Sequence, residues 1–223
     1  MTTLTQASKQ WASRPSDERF LSLPEMQTHF DTIRENSREL VVSSRKLLAA
    51  PTEDNKGLLV TGPNGHAYCM SHWAFGQVAQ LAEAPGNYLR TLPAPMAADC
   101  INYGLQYKRN IEDVGVLLYR NGGDPMLRAA TGPRYGRIWN AEILRGLIRQ
   151  FGDGITGAFR VPGEFGKAVT VTKENTTLYA GDRDMFVFLA DEQRRIEVPN
   201  RRDGKPGQLA RGFFVWNSEV GSV

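Results

Sequence analysis

An α+β fold, with a mainly antiparallel sheet built from hairpins and helices packed on one face, follows from three features of this 223-residue sequence. Short apolar runs come in pairs separated by Gly- and Asn-rich turns, the pattern of hairpins. Between the pairs lie stretches whose apolar residues recur at helical spacing. The last third is a succession of strand-like runs divided by short polar turns. Apolar residues are 41% and charged residues 23% of the chain, the balance of an ordinary globular protein and not of a disordered one.

Residues 1–24 read as a polar arm, ordered only where something holds it, and 25–223 as a single domain. Ser22 is placed to cap a helix opening at Pro24, with Glu25 in its first turn. That helix is expected to carry Met26, Phe30 and Ile33, with Leu40, Val41, Leu47 and Leu48 prolonging the stripe to Pro51. Leu58–Thr61 and Ala67–Met70, around Gly62-Pro63-Asn64-Gly65, form a hairpin. Ser71 then caps a helix bearing Trp73, Phe75, Val78 and Leu81. A short helix with Tyr88 and Leu89 follows, and a longer one from about Pro95 to Arg109. Helix, turn and helix over 71–92 outline a helix-turn-helix. Asn87 and Arg90 offer too little for base readout, so this segment reads as core packing.

The stretch from Val114 to Arg149 organises the middle of the chain. Val116–Tyr119, the turn Asn121-Gly122-Gly123-Asp124 and Met126–Thr131 make a second hairpin. Asn140 stands as the cap of a helix carrying Ile143, Leu144, Leu147, Ile148 and Phe151. From Phe151 to Lys173 the glycines mark turns or a mobile loop, with strands at Gly157–Val161 and Ala168–Thr172. Acids among these glycines match no phosphate cradle. Thr176–Ala180, Met185–Ala190 and Arg194–Val198 are further strands, and a basic loop at 200–207 leads to a last strand, Ala210–Asn217. The chain stops at Val223 directly after that strand, without a closing helix or polar tail, the ending expected of an abridged chain.

Catalytic chemistry is sparse. His66, Cys69 and His72 lack the spacing and the further ligands of a zinc site. Asp182/Asp184 and Asp191/Glu192 would suit a magnesium-dependent nuclease, but acids at strand ends are ordinarily turn formers. No nucleophile elbow occurs. No metal, cofactor or enzyme activity is expected. Two cysteines, Cys69 and Cys100, make no disulfide scaffold and read as reduced thiols. No signal-peptide pattern and no membrane-spanning apolar run occurs, so the expected location is the cytoplasm.

Charge placement carries the functional expectation. From Lys108 to Arg149 eight Lys/Arg face four Asp/Glu, and from Arg194 to Arg211 six face two, whereas the whole chain has a net charge of only +3. The loop Arg134-Tyr135-Gly136-Arg137-Ile138-Trp139 mixes cations with rings, which suits single strands better than duplex grooves. Arg128, Arg134 and Arg137 are therefore expected to hold phosphates, Tyr135 to stack on a base, and Arg201, Arg202 and Lys205 to add a mobile second contact. The expected partners are single-stranded DNA and further copies of the chain.

Several strings carry a resemblance. Trp73–Leu81 with Pro85–Leu92, Leu127-Arg128-Ala129 to Tyr135, Tyr179–Phe186, and Gly212-Phe213 to Gly221 resemble a family of phage- and plasmid-encoded proteins whose shared region is a domain of unknown function. The resemblance spans about residue 57 to the end and implies a mobile-element origin in a bacterial host. The order of hairpin, helix and antiparallel strands is similar to that of phage single-strand annealing proteins. That likeness of layout implies self-assembly around DNA in recombination. The alternative is a mobile-element protein that binds and inhibits a host defence or repair protein, without nucleic-acid affinity.

Overall fold

The computed structural model describes residues 13–62, 65–107, 113–120, 122–162, 170–199, 204 and 207–221. It is a mixed α+β structure with two mostly antiparallel sheets. The chain divides into two compact units, one made of 1–32 and 138–218, the other of 33–137 and 219–223. In chain order the elements are α1 (Leu23–Glu35), β1 (Ser37–Ser43), β2 (Leu48–Pro51), β3 (Leu58–Thr61), β4 (Ala67–Met70), α2 (His72–Leu81), α3 (Gly86–Leu89) and α4 (Ala94–Tyr107). They continue with β5 (Asp113–Tyr119), β6 (Met126–Thr131), α5 (Asn140–Phe151), β7 (Leu178–Ala180), β8 (Met185–Val198) and β9 (Gly207–Asn217).

The unit centred on 33–137 holds a six-stranded sheet of order β1-β5-β6-β4-β3-β2. Its pairs are antiparallel except β4–β6, which run parallel and join two antiparallel sets. Register places Val42 beside Val114, Val116 beside Ala130, and Val60 between Ala49 and Tyr68. These residues form one core with Ala74, Phe75, Val78 and Ala79 of α2, Leu89 of α3, and Ala97, Ile101 and Leu105 of α4. The helix-turn-helix outline is thus core packing. The Ser71 hydroxyl caps α2 by accepting from the Ala74 amide at 3.1 Å, and donates to the Arg128 carbonyl at 3.1 Å. Asn102 of α4 bonds both the amide and the carbonyl of Ala49, at 2.7 and 2.8 Å. A Cβ at Gly104 would collide with the Ala82 carbonyl, so glycine is what lets α4 lie this close to the end of α2.

The other unit pairs β7, β8 and β9 in an antiparallel sheet. Its inner face is Leu178, Ala180, Met185, Val187 and Leu189, all buried. Leu23, Met26 and Phe30 of α1 and Ala141, Leu144 and Leu147 of α5 are buried in the same unit. Gln27 donates to the Ala141 carbonyl at 3.1 Å and so ties the two helices together. Gly154 packs against both Leu23 and Leu189, bringing α1 onto the inner face of the sheet. The polar segment ahead of α1 is held in place: Phe20 is buried, its amide donates to the Leu178 carbonyl at 3.0 Å, and its carbonyl accepts from the Thr176 hydroxyl at 2.5 Å.

Four elements differ from the sequence expectation. The first helix ends at Glu35, and Leu40 and Val41 lie on strand β1. The Ser37 hydroxyl bonds back to the Ile33 carbonyl at 2.7 Å as the helix ends, and the residues beyond find cross-strand partners in β5. Arg194–Val198 is not a separate strand, because β8 runs unbroken from Met185 with a register shift between Asp191 and Arg195. The Asp191 carboxylate accepts from the amides of Gln193 and Arg194, both at 3.2 Å, so the acid that reads as a turn former organises a bulge. Gly157–Val161 makes only a single bridge, Arg160 to Ala190; of the strand expected at Ala168–Thr172, Ala168 and Val169 lie outside the described residues and 170–172 form no strand. Ser22, as expected, caps α1 by accepting from the Glu25 amide at 3.2 Å, and Glu25 answers by accepting from the Leu21 amide at 2.6 Å.

Candidate nucleic-acid interface

Among the described residues the expected basic cluster does not assemble as a surface. Arg128 is 8% exposed and pairs with Glu219, itself 1% exposed, at 3.2 Å. The Arg137 side chain is 3% exposed and its Nε lies 2.5 Å from the Glu39 carboxylate, with the guanidinium 5.3 Å from the centre of the Tyr135 ring. Neither guanidinium is offered to solvent, so a phosphate could be held there only by breaking an internal ion pair. Arg134 is exposed, and Tyr135 is 39% exposed with its ring edge against Gly221. Arg201, Arg202 and Lys205 lie outside the described residues. Asn140, expected as a helix cap, is the first helical residue, is buried, and accepts from the Asn217 amide group at 2.7 Å.

A different set of rings and cations does assemble, on the outer face of the β7–β8–β9 sheet. Directly opposed residues in an antiparallel pair share a face. Tyr179 opposes Phe186, which opposes Trp216, and one step along Phe188 opposes Phe214. All five rings therefore stand on the side opposite the buried Leu178, Met185, Val187 and Leu189. Tyr179 and Phe186 form the floor, at 6% and 9% exposure, while Phe214 and Trp216 stand out at 67% and 61%. Phe186 and Phe214 lie nearly parallel, 15° apart with centroids at 6.0 Å. The Trp216 indole is pinned by donating to Asp184 at 3.1 Å, and Asp184 also accepts from Arg14 at 2.7 Å.

Arginines border these rings. Bridges from Arg19 to Tyr179 and from Arg160 to Ala190 put both residues on the same face at the β7 edge. The Arg19 guanidinium is held by the carbonyls of Arg14 and Lys173, at 2.8 and 2.7 Å, which orient it. Past the bulge, Arg195 opposes Ala210 and donates to Gln208 at 2.9 Å. On the inner side, Phe151, Phe159 and Phe213 pack together with centroids 4.6–5.3 Å apart, and Arg211 lies over Phe159. Arg211 is bonded to Asp191 at 2.8 and 3.0 Å, and this guanidinium holds the carboxyl below the usual carboxylate range.

Of the carboxylates considered for metal binding, Asp184 is engaged with Arg14 and Trp216, and Asp191 with Arg211. Among the described residues no group of three or more His, Cys, Asp or Glu could hold a metal ion. No helix among them is long and apolar enough to cross a membrane. Comparisons with protein-family models, with curated proteins and with solved structures return no match. The functional reading therefore stands on geometry. The signal that could have found the outer face was in the sequence: Phe186 and Phe188, then Phe214 and Trp216, are rings spaced two apart on strands, the period that puts them on one side.

Proposed function

We propose that the protein binds single-stranded DNA on the outer face of the β7–β8–β9 sheet, with bases stacked on Trp216 and Phe214 and the backbone tracked by Arg19, Arg160 and Arg195. The observation that carries this reading is the exposure of two large rings on a sheet face bordered by arginines. A globular protein gains nothing in stability from leaving Phe214 and Trp216 in water, whereas unstacked bases offer π faces of matching size. The immobilised indole of Trp216 supports the same reading, because a ring already fixed by Asp184 loses little freedom when a base stacks on it. Arg134 and Tyr135 belong to the other unit and are not needed for this site. Arg201, Arg202 and Lys205 add charge in the sequence between β8 and β9. The annealing role in a phage or plasmid system, in the cytoplasm of a bacterial host, is the biological setting this chemistry suits.

The test is titration with a fluorescently labelled oligothymidine and with the duplex of the same length. Base–aromatic stacking contributes about 1–3 kcal/mol per base, so Trp216→Ala should weaken single-strand binding roughly 5- to 150-fold. Duplex should bind more weakly than single strand. Equal affinity of wild type and Trp216→Ala, or no binding by wild type, would remove the proposal and leave the outer face to a protein partner.

A further inference from the structure

The edge of β9 carries a second message, about what lies beside it. Hydrogen bonds in an antiparallel ladder alternate, so each residue of a strand points its amide and carbonyl to one side only. The Phe188 amide donates to the Thr177 carbonyl, and Ala190 exchanges both bonds with Arg160, so both residues aim their backbone groups away from β9. Their partners Phe214 and Gly212 consequently aim theirs away from β8, into the space beyond the edge. Trp216 does the same by alternation. None of these outward groups is bonded among the described residues.

Edge strands are ordinarily guarded by charges, prolines or covering segments. Gly212-Phe213-Phe214-Val215-Trp216-Asn217 has no charge and no proline, and it is rich in residues that favour strands. We infer that β9 pairs with β9 of a second copy of this chain, antiparallel about a two-fold axis through Phe214, making one six-stranded sheet from two three-stranded ones.

Self-complementarity selects that register. With Phe214 opposite its own copy, Gly212 falls opposite Trp216, and the outward groups of all three residues exchange about six backbone hydrogen bonds. Arg211 then falls opposite Asn217, and the two copies of Arg211 are kept far apart. A register centred on Gly212 instead brings the two Arg211 side chains into diagonal contact, where like charges repel. An isologous contact of this kind closes at two copies and does not propagate. It also joins the exposed rings of both copies into one stripe, Trp216 and Phe214 of each, so the inference deepens the single-strand reading above while depending on different atoms.

Phe214→Pro separates edge pairing from fold. It deletes an amide that points outward and leaves the β8–β9 ladder whole, because proline is tolerated at such edge positions. Wild type should sediment with twice the chain mass at high micromolar concentration. Phe214→Pro should sediment as a monomer with an unchanged far-ultraviolet circular dichroism spectrum, and Phe214→Thr, which keeps the amide, should remain dimeric. As a second route, Phe214→Cys in a Cys100→Ser background should oxidise to a covalent dimer, because opposed α-carbons at such a pair sit about 5.5 Å apart. A monomeric wild type, or a failure of Phe214→Cys to crosslink, overturns the pairing whatever the variant fold. A monomer that still binds oligothymidine loses this inference and keeps the proposed function. A dimer that binds no oligonucleotide does the reverse.

Discussion

Arg128 shows how far a single residue can differ from its neighbourhood in sequence. It lies in a stretch with twice as many cations as acids, yet its side chain is enclosed and its charge is met by Glu219 from the far end of the chain. The segment carrying Glu219 is held by more than that pair: Gln77 donates to the Val220 carbonyl at 2.7 Å and Trp73 to the Gly221 carbonyl at 3.1 Å. Gln77 also accepts from the Ala130 amide at 2.8 Å, so one buried side chain links α2, β6 and this segment. Removing one member of a buried ion pair strands the other charge. Arg128→Ala should therefore lower unfolding stability by about 3–5 kcal/mol. Replacing both partners, as in Arg128→Met with Glu219→Leu, should recover most of the loss. Urea denaturation of the three proteins checks this, and an Arg128→Ala variant as stable as wild type would return Arg128 to the list of surface cations. The sequence could not disclose the pairing, because the partner is 91 residues away and nothing local distinguishes an enclosed arginine from a solvated one.

At the scale of elements, most of what is regular was legible. The two hairpins, the Ser71 cap and the last strand follow from turn residues, capping chemistry and alternation, all of which act over a few neighbours. The errors came where two periodicities compete or where a side chain overrides a turn signal. Leu40, Val41, Leu47 and Leu48 fit a helical stripe, but β1 exists because β5 offers it a partner, a contact outside any local window. At Asp191 a turn-forming acid became the root of a ribbon, and its charge is part of that root. Arg211 holds the Asp191 carboxyl below the usual range, so its contribution to stability is present above the unfolded value of about 3.9 and is lost as pH falls through the lower folded value. Acidification below about pH 4 should loosen the β8–β9 ribbon. Amide exchange of Gln193 and Arg194, whose amides bond Asp191, should accelerate there. Asp191→Asn should exchange faster at neutral pH and lose most of the acid dependence, whereas an unchanged acid profile in that variant would place the sensitivity elsewhere.

For the molecule as a whole, the net charge of +3 sets how it should meet a polyanion. A protein that works by phosphate neutralisation shows affinity that collapses with salt, each contact to a single strand contributing about 0.7 to the logarithmic slope. On the outer face three arginines border the rings, so a strand held there should give a slope of roughly −2, with the remainder of the affinity supplied by stacking and insensitive to salt. This departs from the steep dependence that the basic runs of the sequence suggest, because Arg128 and Arg137 are committed to internal partners. The slope therefore discriminates between two distributions of the binding energy. Oligothymidine affinity measured across a series of salt concentrations, for wild type and for an Arg201→Ala/Arg202→Ala/Lys205→Ala triple variant, decides it. A shallow slope that the triple variant leaves almost unchanged, together with a large loss in Trp216→Ala, is the result expected of binding on the sheet face. A slope of about −4 or steeper that flattens in the triple variant would mean that Arg201, Arg202 and Lys205 carry the phosphates. In that case the exposed rings of β9 would be left to the edge pairing alone.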